Sequence, residues 1–363
     1  MKKVTFLSVL IATLVSFSLV AQTNAADGGK KPAKLLVELP DYIETPDGLA
    51  RDRDGKILIA CPNYGDQKKC PAVIISLDKN NKVRKYATVP PLKETGVACP
   101  MGIEVGPDNN IYICDNQDWP LKEPKKIGRI LRLVRGPRGR QIRWETVVSG
   151  ISHPNGIKIK DGYIYVTHSM IQPDPKDGKL VSGVYKFPLR SRNLKVKNEI
   201  GEKYLLTTFR TEDPKCQYGA DGLIFDSKGN LYVGNFGDAV MHKVTFNKDG
   251  SVKSNTRWAG DKTKKMKSID GICIDKNDVI YVADFSNNAI CTVSPDGKIN
   301  ILAQNPDTDG SDGKIDEPGE PILRGNELII SNFDMVTGPD KLNKKHDDFQ
   351  HLSVVELEED LEK

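Results

Sequence analysis

Short apolar runs alternate with polar turns along almost the whole chain, and one arrangement of them recurs. Each copy begins with one variable residue, which is followed by glycine and then by Ile or Leu. A polar turn and a second apolar run come next, as in GADGLIFDSKGNLYVGN from Gly219 to Asn235. Short segments rich in Val, Ile, Leu and Tyr that are joined by tight turns are typical of β-hairpins. No stretch has a persuasive helical period, so the pattern predicts an all-β protein.

Six copies of this arrangement follow one another at spacings of 54, 54, 66, 49 and 50 residues, each with a third and often a fourth apolar run. Repeated units of four strands predict a six-bladed β-propeller, here one domain over residues 26–363. The last unit offers three strands, and Lys34–Pro40 precedes the first unit without a hairpin partner. We expect this N-terminal strand to close the last blade. Two stacked β domains are the alternative.

The residue before the shared glycine is predicted to lie at the mouth of the central channel, once in each blade. These head residues are Asp47, Met101, Asn155, Asp221, Asp270 and, in a degenerate last copy, Glu320. The turns after the second strands are predicted to reach the same face, with Asn63, Asp115, Asn116, His168, Asn235, Asp284 and Asn332. Clustered carboxylates repel one another unless a cation neutralises them, and their oxygens suit Ca²⁺, Mg²⁺ or Mn²⁺ better than zinc. The alternative is that these Asp and Asn residues only form turns.

The repeat heads resemble those of the gluconolactonase/regucalcin family, which includes bacterial lactonases and luciferin-regenerating enzymes. The resemblance implies a six-bladed propeller that holds one divalent cation, usually Ca²⁺, and commonly hydrolyses lactones. It implies Asp47 (in place of the more usual Glu), Asn155 in PNGI and Asp221 in ADGL as the metal ligands. Asp221 would also be the general base, although a role as ligand alone is nearly as well supported. One departure is Met101, a weak ligand and more fitting as an apolar wall, where many members carry a polar residue.

Other polar residues are candidates for supporting roles. Asp270, Glu320 and Asn235 are expected to orient ligands or face the substrate. His168 ends a strand near the predicted site and is a candidate for proton transfer; His153 is a weaker one, since a loop histidine usually has only a structural role. No nucleophile elbow, phosphate loop or dinucleotide fingerprint occurs.

Three functions stay open at this point. The first is a metal-dependent hydrolase of a lactone or sugar-acid cyclic ester, acting on a small molecule. The second is a non-catalytic propeller of the NHL type that binds a ligand or protein, and the third is a metal-assisted lyase. The acidic heads favour the first, and the apolar Met101 favours the second.

The N-terminus predicts export. Lys2 and Lys3, an apolar run and Thr23-Asn24-Ala25 make residues 1–25 a predicted signal peptide, which implies a secreted or periplasmic protein. Removal of the signal peptide lowers the formal net charge from +4 to +2. A mature chain so close to neutral gives no general reason to expect a nucleic acid or membrane partner. The basic segment 122–143 is interpreted as a solvated outer hairpin.

The seven cysteines leave the disulfide pattern open. Cys61 and Cys70 flank a polar loop, and a disulfide between them is plausible in an oxidising compartment. Cys99 and Cys216 both precede repeat heads and could lie near each other or near the site. The remaining cysteines have no predicted pairing: Cys114, Cys273 and Cys291.

Overall fold

The computed structural model describes residues 29–65, 67–118, 125–260, 265–335, 342, 344 and 349–362. These residues form six β-sheets and no α-helix. The predicted signal peptide, residues 1–25, lies outside the described residues and stays a prediction. Nowhere in the described part of the chain does a helix reach the length and hydropathy needed to cross a membrane.

The sheets are the six blades, and each is named here from its inner strand outward. Blade 1 comprises β2 (Leu49–Arg51), β3 (Ile57–Cys61), β4 (Val73–Leu77) and β5 (Val83–Thr88). Blade 2 comprises β6 (Pro100–Val105), β7 (Ile111–Asp115), β8 (Gly128–Arg135), β9 (Gln141–Ile151) and a short parallel fifth strand, β13 (Leu194–Lys195). Blade 3 comprises β10 (Pro154–Lys160), β11 (Tyr163–Pro173), β12 (Leu180–Pro188) and β14 (Leu205–Arg210).

The second half of the chain repeats the pattern. Blade 4 comprises β15 (Ala220–Phe225), β16 (Leu231–Asn235), β17 (Val240–Phe246) and β18 (Val252–Ala259). Blade 5 comprises β19 (Ile272–Ile274), β20 (Ile280–Asp284), β21 (Ala289–Val293) and β22 (Ile299–Gln304). Blade 6 comprises β23 (Pro318–Arg324), β24 (Glu327–Asn332), β25 (His351–Glu356) and β1 (Ala33–Glu38). Two 3-10 helices cover Pro137–Gly139 and Phe285–Asn287.

The ring closes as predicted. The N-terminal strand β1 pairs antiparallel with β25 as the outer strand of blade 6. Each inner strand contacts the inner strand of the next blade, in the order β2, β6, β10, β15, β19, β23 and back to β2. Six apolar clusters fill the spaces between neighbouring blades. The six-bladed propeller is therefore confirmed.

The inner hairpins form for local reasons. In blade 4 the side chain of Asp226 accepts hydrogen bonds from the N–H groups of Lys228 (2.9 Å) and Asn230 (2.8 Å). Gly229 takes a positive φ of 81°, which glycine adopts without strain. The turn fixes the register, so the apolar residues of both strands face the spaces between blades.

The basic segment 122–143 is described from residue 125 onward and forms much of the hairpin β8–β9. The interpretation as solvated is wrong for its central arginines. Arg132 and Arg135 are buried, and they pair with Glu145 and with Asp52, whose oxygen lies 2.8 Å from Arg135 Nη1. One ion pair lies within blade 2 (Arg132–Glu145), and the other joins blade 2 to blade 1 (Arg135–Asp52).

Candidate functional site

Five of the six predicted heads occupy equivalent positions around the channel. Asn155 and Asp221 lie directly after the first residue paired in β10 and β15, as Met101 does in β6. The N–H groups of Asp47 and Asp270 bond to the carbonyl groups of Ala60 and Ala283 in the second strands of their blades. All five head residues therefore lie at the start of the inner strands, around the channel.

The prediction for blade 6 is wrong by one residue. Pro318 pairs with Asn332 in the way that Pro100 pairs with Asp115, which makes Gly319 the head. The N–H of Gly271 donates to the carbonyl of Gly319 (2.8 Å), as that of Gly222 does to the head Asp270 (3.1 Å).

The shared glycine after each head is a packing requirement. A Cβ on Gly156 would lie 2.6 Å from the carbonyl oxygen of Asp221, and one on Gly271 would lie 2.6 Å from that of Gly319. Each blade thus places backbone against the head of the next blade, where no side chain fits.

Glu320 occupies this glycine register in blade 6, and its side chain enters the channel. Its Oε2 accepts a hydrogen bond from the N–H of Leu49 (2.7 Å), and its Oε1 lies 4.0 Å from Lys158 Nζ. Lys158 also pairs with Glu104 at 3.1 Å. Burial raises the pKa of Glu320 to about 7 although the lysine opposes the shift.

Asp221, Asp270 and Asn155 form a hydrogen-bonded group in the channel, beside the buried Asp47. Asn155 Nδ2 donates to Asp221 Oδ2 (2.8 Å), and the carboxyl groups of Asp221 and Asp270 share a hydrogen bond. Burial, with repulsion from Glu320, raises the pKa of Asp221 to about 8. Burial and neighbouring carboxylates also raise the pKa values of Asp47 and Asp270. Among the described residues, no cationic side chain forms an ion pair with these three aspartates.

The donor set fits a hard divalent cation in its chemistry, because it consists of carboxylate and amide oxygens. A cavity of about 20 Å³ lies in the channel between Asp47, Asn155, Asp221, Asp270 and Glu320, which is room for one water-sized particle. Across the described ranges, however, no three His, Cys, Asp or Glu side chains are arranged to hold a metal ion. Asp221 is instead engaged by its hydrogen-bonded neighbours.

The predicted catalytic His168 lies elsewhere in the framework. His168 pairs with Pro154 across the first hairpin, a register that Asn235 and Asn332 occupy in blades 4 and 6. Its Nε2 lies 2.6 Å from Asn198 Oδ1, and its Nδ1 accepts from the N–H of Met170. Burial lowers the pKa of His168 to about 3. Proton transfer by His168 does not fit this geometry.

The other residues at that register also serve the framework. Asn235, predicted to face the substrate, instead bonds to Thr211, which follows the outer strand of blade 3, and to the N–H of Asp238 in its own blade. The remaining members likewise bond to backbone groups near the start of their own blades: Asn63, Asp115, Asp284 and Asn332.

Aromatic side chains that the sequence pattern did not predict as site residues cluster with the head residue Met101. Each one directly follows the Asp or Asn at the end of the second strand, in four consecutive blades. We call these four side chains the aromatic collar: Phe236, Phe285, Phe333 and Tyr64. Successive ring centroids lie 5.8, 5.9 and 6.0 Å apart. Met101 packs into the collar, with its Sδ 3.5 Å from Tyr64 Oη.

The two remaining blades give the mouth a polar side. Asn116 and Ser169 take the positions that correspond to the collar residues, since their N–H groups bond to Cys99 and His153 as that of Phe236 bonds to Gly219. Asn116 Nδ2 lies 3.4 Å from Tyr218 Oη, whereas its buried Oδ1 has no hydrogen-bond partner among the residues that the structure describes.

His153 lies on this polar side of the mouth. Its Nδ1 is 2.9 Å from Ser152 Oγ, and its ring meets that of Tyr218 edge to face at 6.1 Å. Burial lowers its pKa to about 4. His153 is therefore neutral near pH 7. Unlike His168, it contacts a residue of the mouth, Tyr218.

The predicted disulfide is not formed. Cys61 is buried, with its Sγ 3.8 Å from the carbonyl oxygen of Ile59, and it is not joined to Cys70. Cys99 lies beside the mouth, 3.6 Å from Gln67 Nε2. Burial raises the pKa of Cys99 to about 12, so it is a thiol at neutral pH.

No protein-family model matches the chain, and no curated protein matches it. Solved structures share its fold. A luciferin-regenerating enzyme is 13% identical, with a TM-score of 0.58 over 92% of this chain and 99% of its own. The calcium-binding protein regucalcin from Agrobacterium tumefaciens is 12% identical, with a TM-score of 0.57 over 92% and 95%.

A gluconolactonase from Xanthomonas campestris is 15% identical, with a TM-score of 0.52 over 89% of this chain and 91% of its own. These three names match the family that the repeat heads resemble. At such low identity the likeness bears on the fold alone, and the chemistry depends on the residues at the mouth.

Proposed function

We propose that this propeller is an exported, divalent-cation-dependent hydrolase of a lactone or another cyclic ester. The observation that carries the proposal is the cluster of Asp47, Asp221 and Asp270 around one cavity. Asp47 and Asp221 are buried, and no cationic side chain among the described residues forms an ion pair with the three carboxylates, although Lys158 lines the same cavity beside Glu320. Buried carboxylates without a counter-ion are costly, and a divalent cation is a direct way to neutralise them.

Ca²⁺ is the first candidate for this cation, with Mg²⁺, Mn²⁺ and Zn²⁺ as further ones. Asp47, Asn155 and Asp221 would hold it, because they supply hard oxygen donors around one cavity. When bound, such a cation polarises an ester carbonyl and stabilises the developing oxyanion.

The chain's own residues supply the proton transfer. The pair Asp221–Asp270 holds a proton between its carboxyl groups, and the ionised member accepts a proton from the attacking water. The water oxygen bonds to the carbonyl carbon, the ring C–O bond breaks, and the proton passes to the leaving alkoxide oxygen. The product is a hydroxy acid. Asn155 Nδ2 keeps the Asp221 carboxyl oriented throughout.

The solved structures support this choice, since a gluconolactonase and a luciferin-regenerating enzyme share the fold. The second candidate is a non-catalytic propeller that binds a ligand or a protein. It is favoured by the covered mouth: Met101, Phe285 and Phe333 are buried, and the cavity beside Asp221 measures only about 20 Å³, so a lactone that enters from the collar side must displace these side chains.

The test combines calcium binding with turnover. We expect Ca²⁺ to raise the melting temperature of the purified protein, and this shift to disappear in Asp221→Ala and Asn155→Ala. Hydrolysis of simple lactones, followed by acid release, should disappear in the same variants. Asp161→Asn, on an exposed turn, is the control that keeps both properties. A melting temperature that no divalent cation changes would remove the metal and leave the binding propeller as the better candidate.

A further inference from the structure

The mouth above the acidic heads has two chemically different sides. The aromatic collar is continuous over blades 4, 5, 6 and 1, with centroid spacings of 5.8–6.0 Å. Asn116, Ser169 and Tyr218 face it from blades 2 and 3 and the start of blade 4. Any small molecule that reaches Asp221 from this face must pass between the two sides.

We propose that this mouth selects a ligand with an aromatic or alkyl substituent and one hydrogen-bond donor, so that the substrate is an apolar-substituted cyclic ester rather than a polyhydroxylated sugar lactone. The inference rests on the proposed function for the ester. The inference about ligand shape and polarity concerns binding, so it can be tested without measuring hydrolysis.

The collar is the first argument. Of its four side chains only Tyr64 has a polar atom, and that hydroxyl lies 3.5 Å from Met101 Sδ. Hydroxyl groups of a sugar placed there would lose water without gaining partners, which costs affinity for each group. A phenyl or alkyl group would instead bury apolar surface against Phe236, Phe285 and Phe333.

Asn116 is the second and independent argument. Its side chain is fully buried, and within the described part of the chain its Oδ1 has no hydrogen-bond partner, although Nδ2 contacts Tyr218. A buried acceptor without a partner is rare in folded proteins and is satisfied when a ligand donates to it. It therefore calls for an O–H or N–H group on the side of the ligand opposite the apolar substituent.

Space for such a ligand adjoins the collar. Gly237 and Ser286, which directly follow Phe236 and Phe285, line a cavity of about 480 Å³. Its other lining residues are mostly polar or charged: Asp213, Cys216, Lys267, Asp307, Leu342 and Lys344. This volume lies within the range of small-molecule sites. Phe236 and Phe285 directly precede Gly237 and Ser286 in the chain, so we expect these two side chains to be near an apolar substituent of a ligand in this cavity.

The test uses stable lactams, in which an N–H replaces the ring oxygen of the ester. We expect 4-phenyl-2-pyrrolidinone, whose phenyl group and N–H lie on opposite sides of the ring, to bind about 10- to 100-fold more tightly than 2-pyrrolidinone by calorimetry, from burial of the phenyl ring. Phe285→Ala should reduce this preference at least fivefold, with Phe285→Leu as the milder variant if the first fails to fold. N-methylation of the lactam should weaken binding to the unaltered protein but not to Asn116→Ala.

A matched control separates the collar from general effects on folding. Phe225→Leu alters a half-buried phenylalanine of blade 4 that packs against Tyr165, away from the collar, and should keep the full preference. Equal binding of the two lactams would overturn the inference. So would tighter binding of glucono-δ-lactone than of α-hydroxy-γ-phenyl-γ-butyrolactone, which carries one hydroxyl group across the ring from its phenyl group. Selective lactam binding without hydrolysis of either lactone would overturn the proposed function and leave the inference standing.

Discussion

Asp221→Asn is expected to stabilise the protein when no cation is bound. The pKa of Asp221 is raised from 3.8 to about 8 in the fold, chiefly by burial. A raised carboxyl pKa contributes stability that is fully present below the unfolded value and is lost as pH rises through the folded value. At about 1.4 kcal/mol per pKa unit, the penalty approaches ~4 kcal/mol at pH 7. The proton is shared with Asp270, so we expect ~2 to 4 kcal/mol for Asp221 itself.

The substitution removes the charge and keeps the geometry. The new amide oxygen still accepts from Asn155 Nδ2, and its N–H₂ donates to Asp270. The gain should appear as a rise in melting temperature on the order of 5–10 °C.

Denaturant unfolding in EDTA from pH 5 to pH 9 is the measurement. The unaltered protein should lose stability relative to the variant as pH rises, with most of the difference developed by pH 8. Addition of Ca²⁺ should then stabilise the unaltered protein and have little effect on the variant. Asp161→Asn is the charge-matched control, because its carboxylate is exposed. Two parallel stability–pH curves in EDTA would show that the reasoning about the buried charge is wrong.

Three further changes test other parts of the structure. Gly156→Ala should destabilise the fold by ~3 kcal/mol or more in thermal unfolding, since the new Cβ meets backbone 2.6 Å away; Gly29→Ala, in open space, is its control. Lys158→Met should cost ~3 kcal/mol at pH 7 because Glu104 and Glu320 lose their cation, and adding Glu320→Gln should restore part of it. His168→Asn should keep the fold and any hydrolysis, since asparagine serves at the same register in two other blades; loss of turnover in a folded variant would return His168 to the catalytic group.

The hairpins and the ring could be predicted because their determinants are local and repeated. Asp226 and Gly229 specify a turn within five residues. The last blade lacks a fourth strand of its own, so it is the position open to the unpaired N-terminal strand. The predicted heads came from the same repetition. Their clustering follows from the topology, since equivalent residues of a closed ring must face one channel.

The register of blade 6 and the collar were missed for a shared reason. Residue type alone predicts an acidic head in blade 6 and gives no sign of the collar, whereas both features follow from their spacing to a recurring neighbour in the chain. A proline precedes the head at Pro46, Pro100 and Pro154, and the same rule applied to Pro318 gives Gly319. Likewise, an aromatic residue follows the Asp or Asn at the end of the second strand in four units. The pairing of Asp221 with Asp270 depends on side-chain rotamers, which no sequence pattern specifies.

The energetics of the ring bear on why the acidic heads are there at all. Met101 occupies the same register as Asp221 and is buried in an apolar cluster, so this position accepts a side chain without charge. A channel that only had to be filled would be more stable with such residues, because Asp47, Asp221 and Asp270 each carry a desolvation penalty. The fold also uses five close glycine contacts and six apolar clusters for its stability, none of which needs a carboxylate. The acidic heads are therefore a cost to the apo fold, and a bound cation that offsets it is the simplest physical reason for their presence.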